Sequence, residues 1–158
     1  MRIAIFGKNC KKEDLCYIED LLSQISLRSD KLIIAKEFFT YLQDKITFPE
    51  NSSIVALEED KISTQQIDVL FSLGGDGTLL DTLSVVKNSC IPVLGINLGH
   101  LGFLTSVGRA DIKNLLTEIE KQHYKFEKHS VLQASCEALI GKRFAINEVC
   151  VRSLSPGE

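Results

Sequence analysis

Apolar positions recur along this chain in two periods, and each stretch where one period holds reads as a strand or a helix. Arg2-Ile3-Ala4-Ile5-Phe6-Gly7 is an apolar run closed by glycine, the pattern of a buried parallel strand. Leu15, Ile18, Leu22 and Ile25 then recur at helical spacing, with Glu13 and Asp14 placed for a helix N-terminus. Lys31 to Ala35 predicts a second strand, and Phe38, Phe39, Leu42 and Ile46 a second helical stripe that stops before Pro49. Ser53 to Leu57 predicts a third strand, after which Glu58-Glu59-Asp60 reads as a solvated loop or helix start rather than a metal site.

Val69, Leu70, Phe71 and Leu73 form the next apolar run, and Gly74, Gly75 and Gly77 around Asp76 break it before Leu79, Leu80, Leu83 and Val86 mark a helical stripe. Ile91 to Ile96 predicts a further strand, with Pro92 tolerable at its start. Ile112, Leu115, Leu116 and Ile119 follow at i, i+3, i+4, i+7, between Asp111 and Lys121. Strands alternating with helices in this way predict an α/β fold: a Rossmann-like, largely parallel sheet with right-handed crossovers and helices on both faces.

Beyond this helix the alternation stops. Tyr124 to Leu139 and Phe144 to Val151 read as two antiparallel strands joined across Ile140-Gly141-Lys142. A division follows into an α/β domain over 1–125, which carries the glycine turn at 74–77, and the first strands of an incomplete all-β domain over 126–158. Counting back from a turn near Ile140-Gly141 puts Cys136 opposite a residue near Ile146 and Cys150 opposite one near Val131 to Gln133. The two sulfurs are then not paired as a cross-strand disulfide requires.

The turn at 74–77 carries the clearest chemistry. Glycines let backbone N–H groups approach an anion, and the following helix N-terminus adds its partial positive charge, so the turn suits phosphate. Asp76 adds a carboxylate at the end of a parallel strand, where it fits either a base for a hydroxyl or a magnesium ligand. Neither G-x-x-x-x-G-K-[ST] nor G-x-G-x-x-G is present. The second glycine-punctuated loop, Asn97-Leu98-Gly99-His100-Leu101-Gly102-Phe103-Leu104, follows the next strand, so the two loops can line one crevice. Taken alone, Phe103 suits packing or a ligand wall equally, His100 reads as a structural loop residue, and Asn147 and Glu148 point to opposite faces of a strand.

Composition narrows the partners. The 158 residues are 44% apolar and 25% charged with a net charge of −3, an ordinary globular balance without the basic footprint of a nucleic-acid binder. Five cysteines without a C-x-x-C pair read as reduced thiols, and no apolar run approaches membrane length. A cytoplasmic protein is expected.

Gly74-Gly75-Asp76-Gly77-Thr78, Gly95-Ile96-Asn97-Leu98-Gly99-His100-Leu101-Gly102-Phe103-Leu104 and Asn147-Glu148-Val149, in this order and spacing, resemble the bacterial NAD kinases. The first motif is similar to turns in diacylglycerol, sphingolipid and phosphofructokinases; the second motif with the Asn-Glu pair singles out NAD kinase. The resemblance implies transfer of the ATP γ-phosphoryl to the 2′-hydroxyl of the adenosine ribose of NAD, with a divalent metal, magnesium. It implies Asp76 as proton acceptor, with Gly74, Gly75, Gly77 and Thr78 at the phosphates. Asp76, Gly77, Phe103, Asn147 and Glu148 would bind substrate, and no residue is assigned to the metal.

The family's second domain continues with a Gly- and Thr-rich segment that does not occur before Glu158. The expectation is therefore a truncated form, weak in nucleotide binding, inactive alone and prone to associate, from a protein that forms a homo-oligomer. The competing expectations are a lipid or sugar kinase sharing the glycine turn and a non-catalytic nucleotide-binding module.

Overall fold

The computed structural model describes the chain except residues 51–53, 100–101, 106, 110–111, 136–143, 147 and 150–158. It divides into two compact units, Met1–Phe126 and Glu127–Glu158.

The first unit is built on five parallel strands, β1 (Arg2–Gly7), β2 (Lys31–Ala35), β3 (Ile54–Leu57), β4 (Val69–Leu73) and β5 (Val93–Ile96), in the order β3-β2-β1-β4-β5. Their centre is mostly apolar: Ile3, Ala4 and Ile5 of β1, Leu32, Ile33 and Ile34 of β2, and Leu70 and Phe71 of β4 have no exposed surface, with the buried Ser72 of β4 the polar member beside them. Such continuous apolar runs are what a sheet covered on both faces requires.

The helices are α1 (Leu15–Ser26), entered through a 3₁₀ turn at Lys12–Asp14, α2 (Lys36–Leu42), α3 (Glu59–Ile62), α4 (Asp76–Val86) and α5 (Ile112–Glu120). The chain steps outward from β1 to β2 to β3 and then back across the sheet to β4 and β5. With right-handed crossovers, α1 and α2 cover one face, and α3 and α4, which pack together, cover the other. The expected Rossmann-like α/β architecture is the one observed. The step direction reverses between β1 and β4, and at such a switch point the carboxyl ends of the strands open into a crevice.

Three expectations are corrected. The buried face of α4 is Asp81, Thr82, Val85 and Val86, whereas Leu80 is exposed and Leu79 and Leu83 are half-buried. The turn after β4 fixes how the helix is rotated about its axis. It directs Leu79 toward β5, where a Cβ on Gly95 would come 2.6 Å from Leu79 Cδ1. Asp81 is buried because it ion-pairs with Lys8, just beyond β1.

The remaining corrections concern the second unit, where β6 (Leu132–Gln133) and β7 (Phe144–Ala145) pair antiparallel. Residues 125–131 form no strand. Leu132 faces Ala145 and Gln133 faces Phe144, whereas the counted register put residues 131–133 opposite position 150. Register is fixed by a buried face, and Leu132 and Gln133 are both exposed, so the hydrophobic pattern had no hold on it. The expected turn at Ile140-Gly141-Lys142, with Cys136 and Cys150, lies outside the described residues.

Candidate active site

β4 ends at Leu73, beside Gly7 at the end of β1. The chain then turns through Gly74, whose φ of 153° is a conformation that L side chains rarely adopt and whose Cβ would collide with Thr78. Gly74 N–H donates to Ile96 O at 3.0 Å, which ties the turn to β5. Gly75 is the N-cap of α4, and Asp76 is its first residue. At both Gly75 and Gly77 an added Cβ would meet nothing within 4 Å, so these glycines face open space. Thr78 N–H donates to Gly75 O at 3.0 Å, which closes the first turn of the helix.

The second loop leaves β5 at Asn97 and returns at Val107. Its ends are joined by Asn97 N–H to Val107 O at 2.8 Å and by a parallel bridge between Ile96 and Val107. Beyond it, Arg109 donates to the Leu98 carbonyl, pairs with buried Asp14 at the start of α1, and lies 5.5 Å over the Tyr17 ring. One guanidinium thus fastens the loop to α1.

The two loops meet at Asp76. Its Oδ2 accepts from Phe103 N–H at 2.8 Å, and its Oδ1 accepts from Leu104 N–H at 3.1 Å, Thr105 N–H at 3.0 Å and the Thr105 hydroxyl at 2.9 Å. Gly102 has to be glycine for this approach, since a Cβ there would run into the carboxylate. Partial desolvation pushes the Asp76 carboxyl up. The bonds from Phe103, Thr105 and Leu104 together outweigh that and hold it below the usual aspartate range. At neutral pH the group is a carboxylate, fixed at the N-terminus of a helix whose dipole also favours the charge.

Of the residues marked in the sequence, Gly74, Gly75, Asp76, Gly77, Thr78 and Phe103 come together here. The Phe103 ring is fully exposed although its N–H is engaged. Glu148 is exposed in the second unit, and Asn147 lies outside the described residues. Sequence reasoning missed the part played by Thr105, which is fully buried, and by the side chain of Asn97, which is 3% exposed and donates to Thr105 Oγ1 at 2.8 Å. Asn97 carried a usable signal: it follows a strand end and stands two residues before a glycine, the spacing of an Asx turn. Thr105 carried none. Among the described residues, no three His, Cys, Asp or Glu side chains gather as a metal would need, and no helix is long and apolar enough to cross a membrane.

Fold and site together define a doubly wound α/β domain with a carboxylate-bearing glycine turn at its switch point. Residues 5–124 match the ATP-NAD kinase N-terminal domain, and the chain belongs to that family. It is 33% identical over 162 residues to the NAD kinase of Flavobacterium johnsoniae, covering 96% of this chain and 52% of that protein. With the NAD kinase of Bacteroides fragilis it shares 29% over 153 residues, covering 96% and 51%. The chain thus spans about half the length of these relatives. The crystal structure of yeast NADH kinase complexed with NADH superposes with a TM-score of 0.73 at 22% identity, over 93% of this chain and 47% of that one, a likeness of fold.

Proposed function

We propose that the protein carrying this chain is an NAD kinase, which transfers the ATP γ-phosphoryl to the 2′-hydroxyl of the adenosine ribose of NAD and releases NADP and ADP. The observation that carries this reading is Asp76, an ionised carboxylate at the carboxyl end of a parallel strand, next to glycines that leave open space, in a chain of the ATP-NAD kinase family. In the proposed step the ribose oxygen attacks the γ-phosphorus, its proton passes to Asp76, and the bond to the ADP oxygen breaks. Little covalent chemistry is asked of the protein; the task is to position the acceptor and offset charge.

Gly74, Gly75, Gly77 and Thr78 are assigned to the phosphates, which the N-terminus of α4 favours. The exposed Phe103 ring offers the dinucleotide an apolar wall, and Asn147 and Glu148 are assigned to its adenosine part. Magnesium enters with ATP as part of the substrate, bound by the phosphates. Residues 1–125 are read as the nucleotide-binding kinase domain and 126–158 as the first strands of a β domain, in a cytoplasmic homo-oligomer.

The test is a turnover assay on the whole protein with Mg·ATP and NAD, and with a diacylglycerol and a sugar phosphate as rival acceptors. The expected product is NADP phosphorylated at the adenosine 2′ position. Phosphorylation of a rival acceptor and none of NAD would sink the reading.

A further inference from the structure

The hydrogen bonds behind Asp76 run in one direction only. Gly99 N–H donates to Asn97 Oδ1 at 2.7 Å, and a backbone N–H has no acceptor capacity, so the Asn97 carbonyl oxygen must face it. That turns Asn97 Nδ2 toward Thr105 Oγ1, to which it donates at 2.8 Å. The single Thr105 hydroxyl proton is then committed to Asp76 Oδ1 at 2.9 Å, because an ionised carboxylate only accepts. Both intermediate side chains are buried, which makes their unpaired alternatives costly.

The chain also distinguishes the two carboxylate oxygens. From the described residues Oδ1 accepts three hydrogen bonds and Oδ2 one. A carboxylate offers about two lone-pair directions on each oxygen, so Oδ1 is saturated and Oδ2 keeps one open. Among the described residues, Asp81 of α4 is engaged with Lys8 beyond β1, and Arg109 with Asp14. Neutral donors therefore set the orientation of Asp76.

We infer that Asn97 and Thr105 are positioning residues that saturate Asp76 Oδ1 and present Oδ2 as the oxygen that receives the acceptor hydroxyl's proton. This rests on the proposed phosphoryl transfer for its consequence, but the hydrogen-bond chain itself can be tested apart from turnover.

The experiment compares the whole protein with Thr105→Val, which keeps the shape and removes the hydroxyl, and Thr105→Ser, which restores it. The Asp76 carboxyl is followed by ¹³C NMR through a pH titration, and NADP formation is measured in parallel. With Thr105→Val the titration of Asp76 moves to higher pH and kcat falls about tenfold, with KM for NAD changed less than roughly twofold. Thr105→Ser returns both toward the unsubstituted values. An unmoved titration in the valine variant, or a serine variant that fails to restore it, overturns the inference. Should Thr105→Val not fold, the unsubstituted protein decides: the Thr105 hydroxyl proton is expected to be slow to exchange and to shift as Asp76 titrates, and a freely exchanging hydroxyl is the contrary result. A protein that makes no NADP yet shows these NMR effects removes the proposed function and leaves the positioning chain standing.

Discussion

At Gly75 and Gly77 of the first loop an added Cβ would meet only open space, while at Gly102 of the second it would strike the Asp76 carboxylate. The same residue type thus does two jobs within one site. At Gly75 and Gly77 the first loop leaves its surface open, and at Gly102 the second packs backbone against the Asp76 carboxylate. A glycine-rich segment is therefore not by itself a phosphate site, and which kind of segment it is depends on the neighbour that another part of the chain supplies.

Replacing the carboxylate tests both jobs at once. Asp76→Asn is expected to lower kcat for NADP formation by roughly 10²- to 10⁴-fold, the scale of a lost general base. The amide also turns an N–H donor toward one of the donors at Phe103 to Thr105, so exchange of those amides should quicken while those of β1 stay protected. A drop of less than about tenfold would take Asp76 out of the base role, and unchanged amide exchange would mean the carboxylate does not hold the second loop.

Gly102→Ala separates holding from chemistry, because the base remains and only its seat is filled. Displacing the carboxylate from three backbone donors should cost roughly 10- to 100-fold in kcat. Overpacking adds about 1–3 kcal/mol of destabilisation, read from denaturant unfolding. If the alanine protein matches the unsubstituted one in both respects, the packing distinction drawn between the loops is wrong.

Gly77→Ala is the reverse case. No contact opposes the methyl group, and alanine favours helix over glycine by up to about 1 kcal/mol, so the unliganded protein should be as stable or slightly more so. Nucleotide binding should weaken about tenfold if phosphate uses that open surface. Calorimetric titration with ATP and NAD reads this, and unweakened affinity would free Gly77 from the phosphate assignment.

The smallest effect concerns acid. The folded Asp76 carboxyl sits below its usual range, so the stability it gives the second loop is fully present above the unfolded aspartate value and is lost as pH falls through the lower folded one. Amides of Phe103, Leu104 and Thr105 should therefore lose protection below the ordinary aspartate range, before the sheet opens. Simultaneous loss in β1 and in the loop would show that Asp76 is no local anchor.

The amino-acid sequence by itself determined the strands and the longer helices of the first unit, because their apolar periods are set by local geometry and each run is closed by glycine, proline or a polar cluster. It also determined the glycine turn and its aspartate, a cue complete within a few neighbouring residues. Only the tertiary structure decided which side of α4 is buried, since the turn after β4 sets that rotation and an ion pair with Lys8 draws Asp81 inward. It alone brought Thr105 to Asp76, 29 residues apart in the chain, because that contact exists only once β4 and β5 lie side by side. In the second unit the pattern predicted an antiparallel pair but not its register, for want of a buried face to fix it. Local pattern encodes what each segment buries, whereas the choice of partner is a property of how the segments pack.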